Sequence, residues 1–419
     1  MTITKDLMYH KFRAYGFLKN LRFFDPFIIL FFREMGLSYL EIGALFSVRE
    51  IATNVLEIPT GVVADAYGRR KSMLAAFGAY LVSFAIFYLF PSFSVYVLAM
   101  VLFAFGEAFR SGTHKAMILE YLRLKGMEEQ RVEYYGHTRA ASQFGSAVGA
   151  LIAAGLVFHS GSYRIVFLAS IVPYLLELIL MASYPKALDG ELVPVEGGWW
   201  QRLLRRIAAT GRESIRMLHR GELLRGLISG AGFDAMFKAT KDYLQPILQS
   251  QAIALPTLIS LAVEKRTALI VGGLYFFIYL GTSYAAAHAG ALERRVRSLP
   301  RAANGLYLMG TGLLLGAGLS TWGGVRWVAI GAYLGLYILQ NLRRPILVGY
   351  LSALIPSRTM ATGLSVESQL RTLLTAALAP LVGFLADRIG VGLGIGAIGF
   401  LGLLFAPVLL LGPQRYHKE

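Results

Sequence analysis

Long apolar segments follow one another along this chain, separated by short polar or basic stretches. A bilayer core takes about 20 helical residues per crossing. On that measure the pattern predicts spans at 12–33, 38–64, 72–91, 94–122, 132–159 and 162–184, then at 222–249, 266–291, 302–320, 325–352, 360–386 and 391–412. The reading is an all-α integral membrane protein with twelve transmembrane helices in two six-helix, pseudo-symmetric bundles. The longest interruption separates an N-terminal bundle, 1–184, from a C-terminal bundle, 222–419, through a linker, 185–221. Within the linker, Trp199-Trp200-Gln201-Arg202-Leu203-Leu204-Arg205-Arg206-Ile207 has the tryptophans, leucines and arginines of an interfacial amphipathic helix.

The polar positions orient the spans. Lys5, Lys11 and Arg13, then Arg69 to Lys71, Arg123, Lys125, Arg131, the 202–220 cluster and Arg294 to Arg301 fall on one side, which the positive-inside rule makes cytoplasmic. Both termini are expected on that side, in an inner-membrane, multi-pass protein. The N-terminus lacks an apolar core followed by a small-residue cleavage site, so no signal peptide is expected. The halves also echo each other. Asp25-Pro26 aligns with Gln245-Pro246, His114-Lys115 with Arg343-Arg344, and Arg139 and Gln143 with Glu367 and Arg371, as parallel repeats require.

Composition sharpens this picture. Of 419 residues, 56% are hydrophobic and only 16% charged, well below the roughly 25% of soluble domains. Cysteine is absent, which excludes disulfides and thiolate metal sites. The formal net charge of +16 lies largely in loops beside apolar spans, where anionic lipid accounts for it without nucleic acid. No phosphate-binding loop, metal-ligand spacing or nucleophile–base cluster is present, so neither a metal nor an enzymatic activity is expected.

Charges at bilayer depth are costly and mark function or internal pairing. Span 1 carries Lys19, Arg22 and Asp25. Span 2 carries Arg49, Glu50, Asn54 and Glu57. Span 4 carries Glu107, Arg110, His114 and Lys115. Span 7 carries Asp234, Lys238, Lys241 and Asp242, span 10 Gln340, Arg343 and Arg344, and span 11 Glu367 and Arg371. Spans 3, 9 and 12 are nearly free of charge. Glu107, Arg110 and His114 recur at i, i+3 and i+7, one helical stripe. Basic side chains outnumber acidic ones, and the doublets His114-Lys115 and Arg343-Arg344 meet no acidic doublet. The candidate substrate-binding residues are therefore Arg22, Asp25, Arg110, His114, Lys115, Lys238, Gln340, Arg343, Arg344 and Arg371, expected to favour an anion. Asp25, Glu107 and Asp234 are the candidate proton-coupling carboxylates. The competing expectation is that these charges pair internally and fix helix packing.

One segment goes further. Gly61, Asp65, Gly68, Arg69, Arg70 and Lys71 match the signature between helices 2 and 3 of the major facilitator superfamily, which this chain resembles. The charge map agrees with that fold, in which helices 1, 4, 7 and 10 line a central cavity and helices 3, 6, 9 and 12 face lipid. The resemblance implies a conformational latch made by Gly61, Asp65, Gly68, Arg69, Arg70 and Glu120, with Asp65 near helix 11 and Arg69 reaching Glu120. Arg110 is similar to the arginine of a helix-4 motif linked to proton coupling, without the glutamine that follows it. Gly145, Gly149 and Gly155 supply half of an antiporter motif, without its proline. Gly383 to Gly390 echoes the signature after span 11.

The expected function is a monomeric, proton-driven secondary transporter with rocker-switch alternating access, moving a small anionic or amphipathic organic solute and needing no cofactor beyond an ion gradient. An efflux exporter whose cavity charges are purely structural is one alternative. A non-transporting receptor or scaffold on the same fold is another.

Overall fold

A computed structural model describes residues 4–190, 221–256, 259–295, 298–355 and 360–412. The helix expected at Trp199–Ile207 and the side chain of Asp65 lie outside the described residues. Among those residues there are helices and no strands. They are α1 Leu7–Leu18, α2 Ile28–Glu34, α3 Tyr39–Tyr67, α4 Arg69–Leu89, α5 Phe93–Arg110, α6 Thr113–Lys125, α7 Arg131–Ser160 and α8 Ile165–Ala182. Then come α9 Gly221–Thr240, α10 Leu244–Ala254, α11 Val263–Arg295, α12 Leu299–Trp322, α13 Arg326–Leu354, α14 Met360–Ile389, α15 Val391–Leu404 and α16 Ala406–Leu409.

Among the described residues, seven stretches are long and apolar enough to cross a membrane: 69–89, 93–125, 128–160, 165–182, 263–286, 299–322 and 362–389. The remaining expected spans differ for visible reasons. Span 1 is split into α1 and α2 around a 3₁₀ turn at Asp25–Phe27, where Pro26 offers no amide hydrogen. Span 7 is split into α9 and α10 around a 3₁₀ turn at Lys241–Tyr243. The α3 and α13 helices carry charges along their length, and α15 has only 14 residues. Span 4 is also bent, since Gly112 adopts a left-handed φ of 75° between α5 and α6.

The signature segment is tighter than its glycine pair suggests. α3 runs through Gly61 to Tyr67, and the reversal falls on Gly68 alone, whose φ is 97°. A Cβ there would also sit 2.8 Å from the Asp189 carboxyl carbon, so both conformation and space demand glycine.

Contacts group the chain into two compact units. The first takes Met1–Met35, Val48–Arg205 and Leu255–Leu280; the second takes Gly36–Ser47, Arg206–Ala254 and Gly281–Glu419. In the first, α4 packs on α5 and α8, and α1 on α7. Its core is aromatic: Phe24 stacks on Phe167 with centroids 5.5 Å apart, and Tyr80 meets Tyr174 edge-on at 5.1 Å. α8 shows why a strongly apolar sequence is still two-faced. Leu168, Val172, Leu175, Leu176 and Ile179 are exposed, while Phe167, Ser170, Tyr174 and Glu177 are buried.

In the second unit, α12 packs against α13 and α15, and α9 against α14. The α12–α15 contact is a glycine seam. A Cβ on Gly318 would run into the backbone of Gly396, one on Gly399 into the backbone of Leu315, and one on Gly392 would lie 2.8 Å from the Trp322 nitrogen. Small residues let helix backbones touch where lipid supplies no hydrophobic drive. Elsewhere in this unit, the Asp387 carboxylate accepts the backbone N–H groups of Tyr39 (3.0 Å) and Leu40 (2.8 Å) at the start of α3, a helix N-terminus that favours an anion.

Candidate functional site

The break in span 1 places polar groups at the centre of the first unit. α1 ends where Asn20 donates through Nδ2 to the Gly16 carbonyl at 2.9 Å. The chain then turns Arg22 toward α5. Arg22 Nη2 lies 2.6 Å from Glu107 Oε1, and Arg110 Nη2 lies 2.9 Å from Glu107 Oε2. Tyr80 of α4 donates its hydroxyl to Oε1 at 2.6 Å, and Arg110 Nε donates to the Tyr80 oxygen at 3.3 Å. Glu107 thus holds two guanidinium groups and a phenol, an arrangement in which charge-assisted bonds offset the cost of taking the ions out of water. Asp25 opens the 3₁₀ turn of Asp25–Phe27.

His114 leaves the stripe expected of it, because Gly112 breaks the helix between Arg110 and His114. Its ring stacks on Tyr15 with centroids 3.4 Å apart and its Nε2 lies 3.1 Å from the Tyr184 hydroxyl. The expected doublets also separate. His114 is buried and Lys115 exposed, just as Arg343 is buried and Arg344 exposed. Successive helical residues point about 100° apart, so the repeat keeps one inward and one outward position rather than a basic pair.

A cavity of about 290 Å³ opens beside the cluster. Its lining includes the basic Lys19, Arg110, Lys115 and Arg139, and the neutral polar Asn20, Thr138, Ser142 and Gln143. Tyr15 and Tyr135 add aromatic faces, and Lys115 Nζ sits 5.3 Å above the Tyr135 ring. Among the described residues that line it, none is acidic. Behind it, Glu177 of α8 is fully buried, and neither of its carboxyl oxygens makes a hydrogen bond of ordinary geometry among the described residues.

The second unit has its own polar cluster. Asp234 of α9 accepts from Gln340 Nε2 at 2.8 Å and lies 3.6 Å from Arg371 Nη1. Arg371 also reaches Glu367 at 3.6 Å and Ser368 Oγ at 2.7 Å. Arg343 is 1% exposed. It donates through Nη2 to Ser229 O (3.2 Å) and Oγ (3.1 Å), with its guanidinium 4.6 Å from the Phe233 centroid and 5.6 Å from that of Tyr307. Asp234 and Glu367 thus share the Arg371 guanidinium. Lys238 is half-buried one turn beyond Asp234.

Of the latch residues, Arg69 and Glu120 meet within the first unit. Arg69 Nη1 lies 3.7 Å from Glu120 Oε2, and Glu120 also binds Arg123 at 2.7 Å. Arg70 gives its backbone N–H to Asp189 at 2.7 Å and its Nη1 to the Tyr184 carbonyl at 3.2 Å. Asp189 therefore caps α4, a role absent from the expected latch. Gly61 lies inside α3 and makes no turn.

These features have counterparts elsewhere. The family model described as Major Facilitator Superfamily matches residues 20–369. The chain belongs to the Major Facilitator Superfamily. Among superfamily relatives, the uncharacterized MFS-type transporter YxaM of Bacillus subtilis (strain 168) is 30% identical over 163 residues, 39% of each chain. The match thus spans well under half of that relative's length. The fold resembles the nucleoside transporter NupG, with a TM-score of 0.72 at 11% identity over 96% of this chain and 98% of that one. It also resembles the peptide transporter POT in complex with sulfate, with a TM-score of 0.68 at 14% identity over 97% and 96%. At these identities the likeness is one of superfamily fold.

Sequence reasoning missed Tyr80, Tyr184 and Glu177, and it left Lys19 and Arg139 out of the site. The signal for Glu177 was present: it is the only charged residue between Ile165 and Ala182. The tyrosines carry no such mark, because an isolated Tyr in an apolar span reads as packing.

Proposed function

We propose that this protein is a secondary active transporter of a small organic anion, coupled to protons and working by alternating access between the two sides of the membrane. The observation that carries the reading is the cavity of the first unit, with four basic and no acidic lining side chains among the described residues. An arginine offers a carboxylate or phosphate a two-pronged match and a lysine a mobile point charge. The hydroxyl and amide groups of Thr138, Ser142, Asn20 and Gln143 can orient the anion, while Tyr15 and Tyr135 accept an apolar or aromatic body. The paired cluster of Arg22, Glu107, Arg110 and Tyr80 favours a structural part for Arg22 and Glu107 within that machine. Asp234, tied to Gln340 and Arg371, has the same character. The named cargoes of the structural neighbours, nucleosides and peptides, differ from each other, so the shared fold leaves the choice of solute to the lining.

The test is a thermal-shift screen of the purified protein against organic carboxylates, phosphate esters and cationic drugs at two pH values, followed by uptake into proteoliposomes. Stabilisation by anions, weakened in Lys19→Gln, is the expected result. Stabilisation by cations alone would overturn the reading and leave an exporter with purely structural charges.

A further inference from the structure

The polar wall of the first unit's cavity has a balance of donors and acceptors that narrows what it can hold. α7 contributes Tyr135, Thr138, Arg139, Ser142 and Gln143 to the lining, positions i, i+3, i+4, i+7 and i+8 of one helix face. The two hydroxyls on that face have committed their protons to the helix itself. Thr138 Oγ1 donates to the Tyr134 carbonyl at 2.9 Å, and Ser142 Oγ donates to the Thr138 carbonyl at 3.0 Å. A hydroxyl carries one donor and two acceptor lone pairs. With the proton bonded one turn back along the helix, each oxygen meets the cavity as an acceptor. α1 closes the same corner: a Cβ on Gly16 would run into the Thr138 carbonyl oxygen and lie 3.1 Å from Ser142 Oγ. One turn beyond Gly16, Asn20 gives an Nδ2 hydrogen back to the Gly16 carbonyl at 2.9 Å, which leaves its Oδ1 as a third acceptor in the lining.

The lining cations Lys19, Arg110, Lys115 and Arg139 are the reverse, donors with no acceptor capacity. A carboxylate or phosphate group suits them. It does not suit Thr138, Ser142 and Asn20, whose lone pairs would face its negative oxygens. Those three need a donor on another part of the same solute. An ammonium is a poor choice, because the positive lining repels it. A hydroxyl donates without carrying a charge. We infer that the solute is a small organic acid or phosphate ester bearing hydroxyl groups, and that Thr138, Ser142 and Asn20 select those hydroxyls. This rests on the anion reading above and narrows it. One helical turn, about 6 Å of rise, separates Thr138 from Ser142, so a solute with several hydroxyls reaches both. A bare apolar acid would strip water from the three acceptors and give them no partner. An amino acid would bring its ammonium among the cations.

The experiment is titration calorimetry on the full-length protein in nanodiscs with matched acids. Gluconate is compared with caproate, protocatechuate with benzoate, and caproate with its ε-amino derivative. The hydroxylated member of a pair should bind about tenfold more tightly than its bare partner, and the ε-amino acid more weakly than caproate. In the double variant Thr138→Val/Ser142→Ala the preference for the hydroxylated member should shrink by about fivefold or more. The ratio within a pair is the readout, because a merely structural change weakens both members alike. If the double variant fails to fold, Ser142→Ala alone decides by the same ratio. Equal affinities within every pair that binds, tighter binding of the ε-amino acid than of caproate, or a preference unchanged in the variant overturns this inference and leaves the anion reading standing. If neither these acids nor inorganic phosphate binds, the anion reading itself falls, and the inference falls with it.

Discussion

Replacing Glu107 by Gln is the sharpest probe of the central cluster. Its carboxylate receives Arg22 at 2.6 Å, Arg110 at 2.9 Å and Tyr80 at 2.6 Å. Side-chain exposures are 21% for Arg22, 15% for Arg110 and 24% for Glu107, so the ions are largely but not fully withdrawn from water. Removing one partner of a buried pair costs about 3–5 kcal/mol, because the remaining charge keeps its desolvation cost without its counter-ion. Partial solvation and the retained amide oxygen put Glu107→Gln near the lower end, about 3 kcal/mol. Tyr80→Phe removes one bond to a charged acceptor and should cost about 1.5 kcal/mol. The assay is a double-mutant cycle with Arg22→Met, read from unfolding midpoints in nanodiscs. Once Glu107 is neutral, losing Arg22 should be less costly, giving a coupling of roughly 2 kcal/mol. Additivity within about 0.5 kcal/mol, or a Glu107→Gln cost no larger than that of Tyr80→Phe, would refute the account.

Four further outcomes follow from the geometry. Gly68→Ala should lower stability by about 1–3 kcal/mol through its left-handed backbone and its clash with Asp189, and the melting temperature reads it. Arg371→Gln strips the nearly buried Asp234 (4% exposed) of its cation and should cost about 3 kcal/mol in the same measurement. Gly399→Val forces a side chain into the Leu315 backbone and should cost about 3 kcal/mol or more, seen as loss of the monodisperse peak in size-exclusion chromatography. Lys19→Gln should weaken anion affinity about tenfold, roughly 1.4 kcal/mol, while the exposed Lys115→Gln has a smaller effect that added salt erases; titration calorimetry in two salt concentrations separates the two.

Much of the architecture was legible because bilayer thickness imposes one period on every crossing. The apolar stretches at 69–89, 165–182 and 299–322 needed only to be counted. Positions inside the spans were harder. The i, i+3, i+7 stripe through Glu107, Arg110 and His114 assumed a continuous helix, and Gly112 breaks it; a glycine within an apolar run does not announce the sign of its φ. The basic doublets looked like paired charges because adjacency in sequence is easily mistaken for adjacency in space. Arg343 turned inward to Ser229 and the Phe233 face, while Arg344 turned out. The signature residues Arg69 and Glu120 met as the resemblance implied. Asp189, their companion at the start of α4, went unnoticed because a lone acid in a linker has no periodicity to mark it.

The glycine seam between α12 and α15 has a consequence for how the protein is made. Its two halves, Gly318 on one helix and Gly392, Gly396 and Gly399 on the other, are separated in sequence by α13 and α14. During synthesis α12 enters the membrane with its small-residue face unmatched, and no earlier helix of the second unit offers the facing glycines. The face closes only when α15 leaves the ribosome. Until then α12 is open to lipid or to a wrong neighbour, the period in which a slow chain is most exposed to quality control. Chains stopped before Val391 should therefore be degraded as orphans, even though α9 to α14 are already complete.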